Sequence, residues 1–356
     1  MIRGFMSKTI GGRARWAAAL AGTLMALSSA VGWAAPGEPG QRPDMCGHDQ
    51  RDTPGAQYFC AKTDDLVDVR IGDVLATQPS LGYDEVFYKL GRYTLGKDTV
   101  NKKFDDWCEA NGQGSAASVN PGARLVDSAS FTCKLAIGSE TADSVAAMKT
   151  VVIGPQGKLY LTDGHHTLTS FFETPDGGAD THVRLRVLGN LSSLPEAKFW
   201  DTMKQNGWVW LKDVNGNAVN EHQLPKALGL ANFADDKYRS VMYFARDIGY
   251  TVGTIPFQEF YWGEWMRDTK VGADWNRNDF AAYLATVKTV TEKQVGLGAN
   301  AAVAEGKTAG ELGALTAWNG GADETKGEFG KLAKPYSDAK PGKLAYAIEY
   351  RLRNGR

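Results

Sequence analysis

Residues 148–173 read MKTVVIGPQGKLYLTDGHHTLTSFFE. Two apolar runs, MKTVVI and KLYLT, flank the turn-forming GPQG, which predicts a β-hairpin. After Asp163-Gly164 the texture changes. Leu168, Phe171 and Phe172 recur at helical spacing, so a helix is expected from about His165. HVRLRVL, 182–188, alternates apolar and polar residues and predicts a half-buried strand. A strand, a Gly turn and a helix in direct succession place this chain in the mixed α/β class.

Upstream, LVDVRIGDVLA (66–76) predicts a short strand, and GYDEVFYKLGRY (82–93) a helix with Val86, Phe87 and Leu90 on one face. Residues 109–130 are rich in Gly, Ser, Ala and Asn and predict a loop insertion framed by Cys108 and Cys133. Beyond Leu194 helices dominate. Asp235 or Asp236 would cap one, Pro256 would open a second, and Asn278 or Asp279 would start a third. The tail 299–356 is Ala/Gly-rich and weakly periodic. The expected layout is a 36–65 linker with a cysteine loop, a 66–194 mixed domain with an insertion at about 101–140, a 195–298 helical region, and a weakly structured tail.

The chain opens with Arg3, Lys8, Arg13 and Arg15, no acidic residue, and then an apolar run ending in small residues. This is the pattern of a secretory signal peptide over residues 1–35, cleaved after Ala34 or Ala35. The expected location is periplasmic or secreted, with no membrane attachment after removal. The 356-residue chain has 40 basic and 41 acidic residues. Removing four basic ones gives 36 against 41, a net charge of −5, which does not support nucleic acid as a partner. All four cysteines, Cys46, Cys60, Cys108 and Cys133, follow the leader. An even count in an exported chain predicts two disulfides. Of three pairings, Cys46–Cys60 and Cys108–Cys133 close local polar loops. The absence of any Cys-x-x-Cys argues against a zinc ribbon or a redox motif.

His165 and His166 stand at the strand-to-helix turn, in a chain with only five histidines. The first turn of a helix carries unpaired N–H groups and partial positive charge, so it suits phosphate. Gly164 allows close approach, Thr167 adds a hydroxyl, and histidine can donate a hydrogen bond or exchange a proton near neutral pH. Asp163 could cap the helix, orient a histidine, or bind a divalent metal with His165 or His166 and His182. A purely structural reading makes Asp163 a cap and the histidines packing residues. Trp200, Trp208 and Trp210 could stack on a base or sugar, or fill the core. Arg239 and Arg246, seven apart, are expected to pair with acidic neighbours, and His222 to pack near the start of the helical region.

The DGHHT turn after a hairpin strand resembles the signature turn of the ParB/sulfiredoxin superfamily, in particular its ParB-like nuclease branch. QPSLGYDEVFYKLGRY, LPKALGLANFADDKYRSVMYFARDIGY and PFQEFYWGEW resemble that branch too, so the likeness runs from about Asp68 to Arg267. The resemblance implies a small mixed sheet with helices. It also implies a phosphate-binding turn at Gly164, His165, His166 and Thr167, with Asp163 beside them. Many relatives carry arginine where this chain has Thr167, so other cations must supply the charge. Lys89 and Arg92 fit the family pattern, with Lys149 and Arg184 as alternatives. The function expected is a phosphoester hydrolase of nuclease type, with His165 or His166 as general acid or base and Asp163 orienting it or holding a divalent metal. The partner would be a small phosphorylated ligand or nucleotide. The alternatives are a small-molecule phosphotransferase and a non-catalytic binding module.

Overall fold

The computed structural model describes residues 55–98, 101–272 and 274–356. The expected signal peptide and Cys46 lie outside these residues. All of them belong to one compact unit.

The chain enters through β1 (Leu66–Arg70), β2 (Val74–Leu75) and β3 (Ser80–Leu81), then α1 (Tyr83–Thr94) and α2 (Lys102–Ala110). A hairpin of β4 (Ala116–Val119) and β5 (Phe131–Cys133) and a short α3 (Ala142–Ala146) complete the insertion. The expected hairpin is β6 (Thr150–Ile153) and β7 (Leu159–Asp163), followed by α4 (His165–Glu173) and β8 (His182–Asn190). The helical half contains α5 (Glu196–Gln205), β9 (Ala234–Asp235), α6 (Lys237–Ala245), α7 (Gln258–Thr269) and α8 (Phe280–Val295). The chain ends with β10 (Ala302–Ala304), β11 (Lys307–Thr308), α9 (Gly327–Leu332) and α10 (Lys343–Arg353).

The main sheet runs β1-β8-β6-β7-β2. Pairs β6–β8 and β2–β7 are parallel, while β1–β8 and β6–β7 are antiparallel. The continuous apolar run of β6 is buried throughout, as a strand covered on both faces must be. Val151 and Ile153 join the large core shared with α1, α4 and α6. Val152 faces the other way, into a smaller cluster with Phe199, Trp200 and Met203 of α5. The mixed α/β expectation therefore holds, with helices on both faces of a small sheet.

The structure departs from three sequence expectations. Residues 299–356 are no loose tail, because α10 buries Leu344, Tyr346 and Ile348 and packs along α1. Gly91 makes that contact close: a Cβ there would lie 2.7 Å from the Tyr346 carbonyl oxygen. The Gly-rich insertion is ordered by pairing of β4 with β5, and the Cys108–Cys133 disulfide ties it to α2. The bond fits a chain that matures in an oxidising compartment. α7 begins at Gln258 and not at Pro256. Phe257 adopts a left-handed conformation, and the Gln258 amide group bonds to Gly253, Thr251 and Leu312. Two caps agree with expectation: Asp236 accepts from the amides of Tyr238 and Arg239, and Asp279 from that of Ala282. The part of the expected linker that is described, 55–65, lies against the sheet through Asp64, Asp65 and Val187. Among the described residues no helix is long and apolar enough to cross a membrane.

Candidate functional site

Gly164 ends the β7 strand with φ 104°, in the left-handed region, and a Cβ there would meet the Lys149 side chain at 2.6 Å. Glycine is required on both counts. α4 then starts at His165 with no side-chain cap. Asp163 does not cap it. Its exposed carboxylate pairs with Lys149 Nζ at 3.2 Å. The first-turn N–H groups of α4 thus stay without a side-chain acceptor, and the dipole adds to their positive character.

Both histidine rings are buried, and each accepts a backbone N–H at Nε2. Thr77 N donates to His165 at 3.1 Å, and Gly82 N donates to His166 at 3.1 Å. A ring accepting at Nε2 carries its proton on Nδ1. Burial pushes the His165 pKa down to about 3 against a weak opposing pull from Asp163. Burial, then the charges of Arg239 and Arg246, holds His166 well below the ordinary imidazole range. Both rings are therefore neutral near pH 7. They fasten α4 to the segment on either side of β3. They can donate from Nδ1, but they lack the titratable proton expected of a general acid or base at that pH.

The helical half supplies the charges. The turn faces a cavity of about 540 Å³ that is also lined by Glu85 of α1, Arg239 of α6, Arg246 just beyond it, and Glu259 of α7. Arg239 lies 3.4 Å from Glu85 and 3.6 Å from Glu259. Arg246 pairs with Glu259 and lies 3.8 Å from Glu85. Burial alone would raise the Glu259 pKa, but Arg239 and Arg246 outweigh it and hold the carboxyl below its usual value. His166 Nδ1 stands 3.6 Å from Glu85 Oε2. The pairing is incomplete: Glu85 Oε2 and Arg239 Nε and Nη1 are buried with no hydrogen-bond partner. Such groups are rare in folded proteins and mark sites of strain or ligation.

Arg239 and Arg246 thus pair with acids, as expected, and also line the site. Glu85 and Glu259 were not anticipated. Glu259 did carry a signal, since it shares a helical face with Trp262 and Met266, where a charge is out of place in an apolar stripe. Trp208 lines the cavity, whereas Trp200 and Trp210 are core residues.

Other expected ligands lie elsewhere. Lys89 pairs with Asp106 at 3.4 Å and shares a smaller cavity of about 240 Å³ with Thr167 and Lys149. Arg92 turns away from α4 to hold Asp98 at 2.6 Å, beside a different cavity. Arg184 is taken by Glu140, and the exposed His182 by Asp68 at 2.7 Å. His222 is exposed in a turn. The metal set of Asp163, a turn histidine and His182 therefore does not assemble. Lys149 faces the Asp163 carboxylate, both turn Nε2 atoms are occupied, and among the described residues no three His, Cys, Asp or Glu side chains could hold an ion. The residues present do not fit the divalent metal considered from sequence.

No curated protein matches this chain. Among solved structures, protein Atu1540 from Agrobacterium tumefaciens is 18% identical, with a TM-score of 0.43 over 65% of this chain and 92% of that one. Residues 67–268 match the protein family described as "Putative ParB-like nuclease". That span is more than half of the 356 residues and contains the sheet, the DGHHT turn, both arginines and both glutamates. The chain belongs to this ParB-like nuclease family.

Proposed function

We propose that the chain binds a small phosphate-bearing molecule in the cavity at the DGHHT turn and hydrolyses its phosphoester bond. The observation that carries this reading is a buried ion pair without a hydrogen bond in one cavity: Arg239 Nη1 and Glu85 Oε2 stand 3.4 Å apart with their hydrogen-bonding capacity unmet, beside the uncapped N-terminus of α4. A phosphate oxygen would take the donors and the α4 amides. A water would take Glu85 Oε2. Attack by that water forms a new P–O bond, its proton passes to Glu85, and the ester P–O bond breaks with the proton returned to the leaving oxygen. His165 and His166 hold the frame and donate from Nδ1 to non-bridging oxygens. Lys149, Arg239 and Arg246 balance Glu85, Asp163 and Glu259, so the cavity has no excess charge for a nucleic-acid backbone. Its volume is that of a pocket for a mononucleotide or sugar phosphate. Export through the leader, with action in the periplasm or outside the cell, is part of the same proposal. The Cys108–Cys133 bond supports it.

A second reading, binding without turnover, is favoured by the neutral, occupied histidine rings. The two readings separate with the isosteric Glu85→Gln. Binding of phosphomonoesters and phosphodiesters is measured by calorimetry, and turnover by phosphate or alcohol release. Glu85→Gln should keep binding within a few-fold and lose about 10²–10⁴ in turnover, the range for one acid–base group. Wild-type binding without turnover of any ester would leave the binding module. No binding at all would overturn both readings.

A further inference from the structure

A second cavity lies across Arg246 from the first. It also measures about 540 Å³, and it is built by the end of α1, the loop after it, and the approach to α10. Its charge differs from that of the DGHHT cavity. Six cations line it against two carboxylates, Asp98 and Glu328, a surplus of four. Arg92 is neutralised by Asp98, Lys331 by Glu328, and Arg246 by Glu259 of the first cavity. Among the described residues Lys97, Lys340 and Lys343 form no ion pair within 4.0 Å, in contrast to Arg92, Lys331 and Arg246. Lys97 donates to the carbonyls of Tyr336 and Asp338. Lys343 lies over the face of Tyr243, 5.2 Å away. Desolvation by the surrounding protein, then the charge of Arg246, outweighs the pull of Glu85, Glu328 and Asp247 and lowers its ammonium pKa.

The walls are aromatic. Tyr88 and Tyr346 stand 6.4 Å apart, ring to ring, and the Arg92 guanidinium lies over Tyr346 at 5.7 Å. Like charges gathered in a concave, partly apolar space repel one another at a cost that solvent screens poorly. An anion bearing two or more charges relieves that repulsion, and one of a single charge leaves most of it. A cavity of this size admits a small molecule and no duplex.

We infer that this cavity is a second binding site, for a small polyanion such as an oligophosphate, held by Lys340 and Lys343. It stands independently of the function proposed for the first cavity.

The test is calorimetric titration of the full chain with tripolyphosphate, and with citrate as a carboxylate counterpart. The wild type should bind at least one of them, more weakly as salt rises. Lys340→Ala/Lys343→Ala should weaken binding about tenfold or more, since two charge-assisted contacts are lost together. Both lysines are exposed, so the melting temperature should not change. Lys134→Ala/Lys198→Ala, an equal change in net charge at exposed positions elsewhere, should leave binding within twofold. The stronger of the two ligands tells phosphate from carboxylate chemistry. No binding, equal loss in both lysine pairs, or binding untouched by the Lys340/Lys343 change would each overturn the inference. The last result would return the anion to the DGHHT turn.

Discussion

His165 and His166 solve a packing problem before they serve any chemistry. The N–H groups of Thr77 and Gly82 are buried and need acceptors. A neutral imidazole offers an acceptor on one edge and a donor on the other, so it can seal a backbone group and still face a cavity. The cost appears in acid. Above the ordinary imidazole pKa of 6.5 the rings are neutral in folded and unfolded chains alike, and pH does not shift the balance. Below it the unfolded ring protonates while the folded His165 stays neutral down to about 3. The unfolded state then binds more protons, and stability falls as pH drops through that window, by up to about 1.4 kcal/mol per pH unit for each ring. Asp236, whose carboxyl burial pushes up to about 6, titrates in the opposite sense, so the comparison must be made against a variant. His165→Gln keeps an acceptor for Thr77 without titrating. Urea unfolding between pH 7 and pH 4.5 should show a shallower loss for the variant than for the wild type, and equal slopes would mean the folded ring is open to protons. The sequence made the turn legible because Asp-Gly-His-His breaks two periodic patterns at once. It could not show that the rings are neutral, since that depends on Thr77, Gly82 and Arg239, which are distant along the chain.

At the scale of elements, local pattern and remote packing part company. The β6–β7 hairpin, α4 and β8 were readable because each has its own period. α10 was not expected, although its buried face is regular, because it follows a long Ala/Gly-rich stretch that reads as loose. Its order comes from α1, where Asp84 is held by Arg351, by Arg277 at 2.8 Å and by Tyr283 at 2.8 Å. Gly91 is the sensitive point of that contact. Alanine there would gain about 1 kcal/mol in helix propensity over glycine. Its Cβ, however, would sit 2.7 Å from a backbone oxygen that cannot rotate away, and overpacking of that kind costs about 1–3 kcal/mol. Gly91→Ala should therefore gain nothing from the better propensity and destabilise by up to about 2 kcal/mol. Gly298→Ala, where nothing lies within 4 Å, should be close to neutral. Chemical denaturation of the two variants decides the matter. If they match, α10 is peripheral to the fold.

Across the whole molecule the insertion is held at both ends of its reach. Trp107 Nε1 donates to the His182 carbonyl at 2.9 Å, and Lys103 reaches Asp176 at 2.7 Å, so α2 lies against β8. Asp106 of the same helix holds Lys89 and accepts from the Tyr93 hydroxyl at 2.7 Å, which sets α2 beside α1. The Cys108–Cys133 bond closes this unit across a sequence separation of 25. A crosslink acts mainly by restricting the unfolded chain, and a loop of this length corresponds to about 3 kcal/mol. Cys108 is fully buried, so removing its sulfur also leaves unfilled space. Cys108→Ala/Cys133→Ala, with the other cysteines kept, should therefore lose about 3 kcal/mol or more of unfolding free energy in urea under non-reducing conditions. Such a loss is a large share of a typical domain's total of about 5–15 kcal/mol. A chain that depends on the bond to that extent would be poorly suited to a reducing cytoplasm, which ties this measurement to the proposed export. Should the double variant unfold at the wild-type midpoint, the weak contacts of α2 and β5 would be holding the insertion alone. The disulfide would then give no physical reason to place the protein outside the cell.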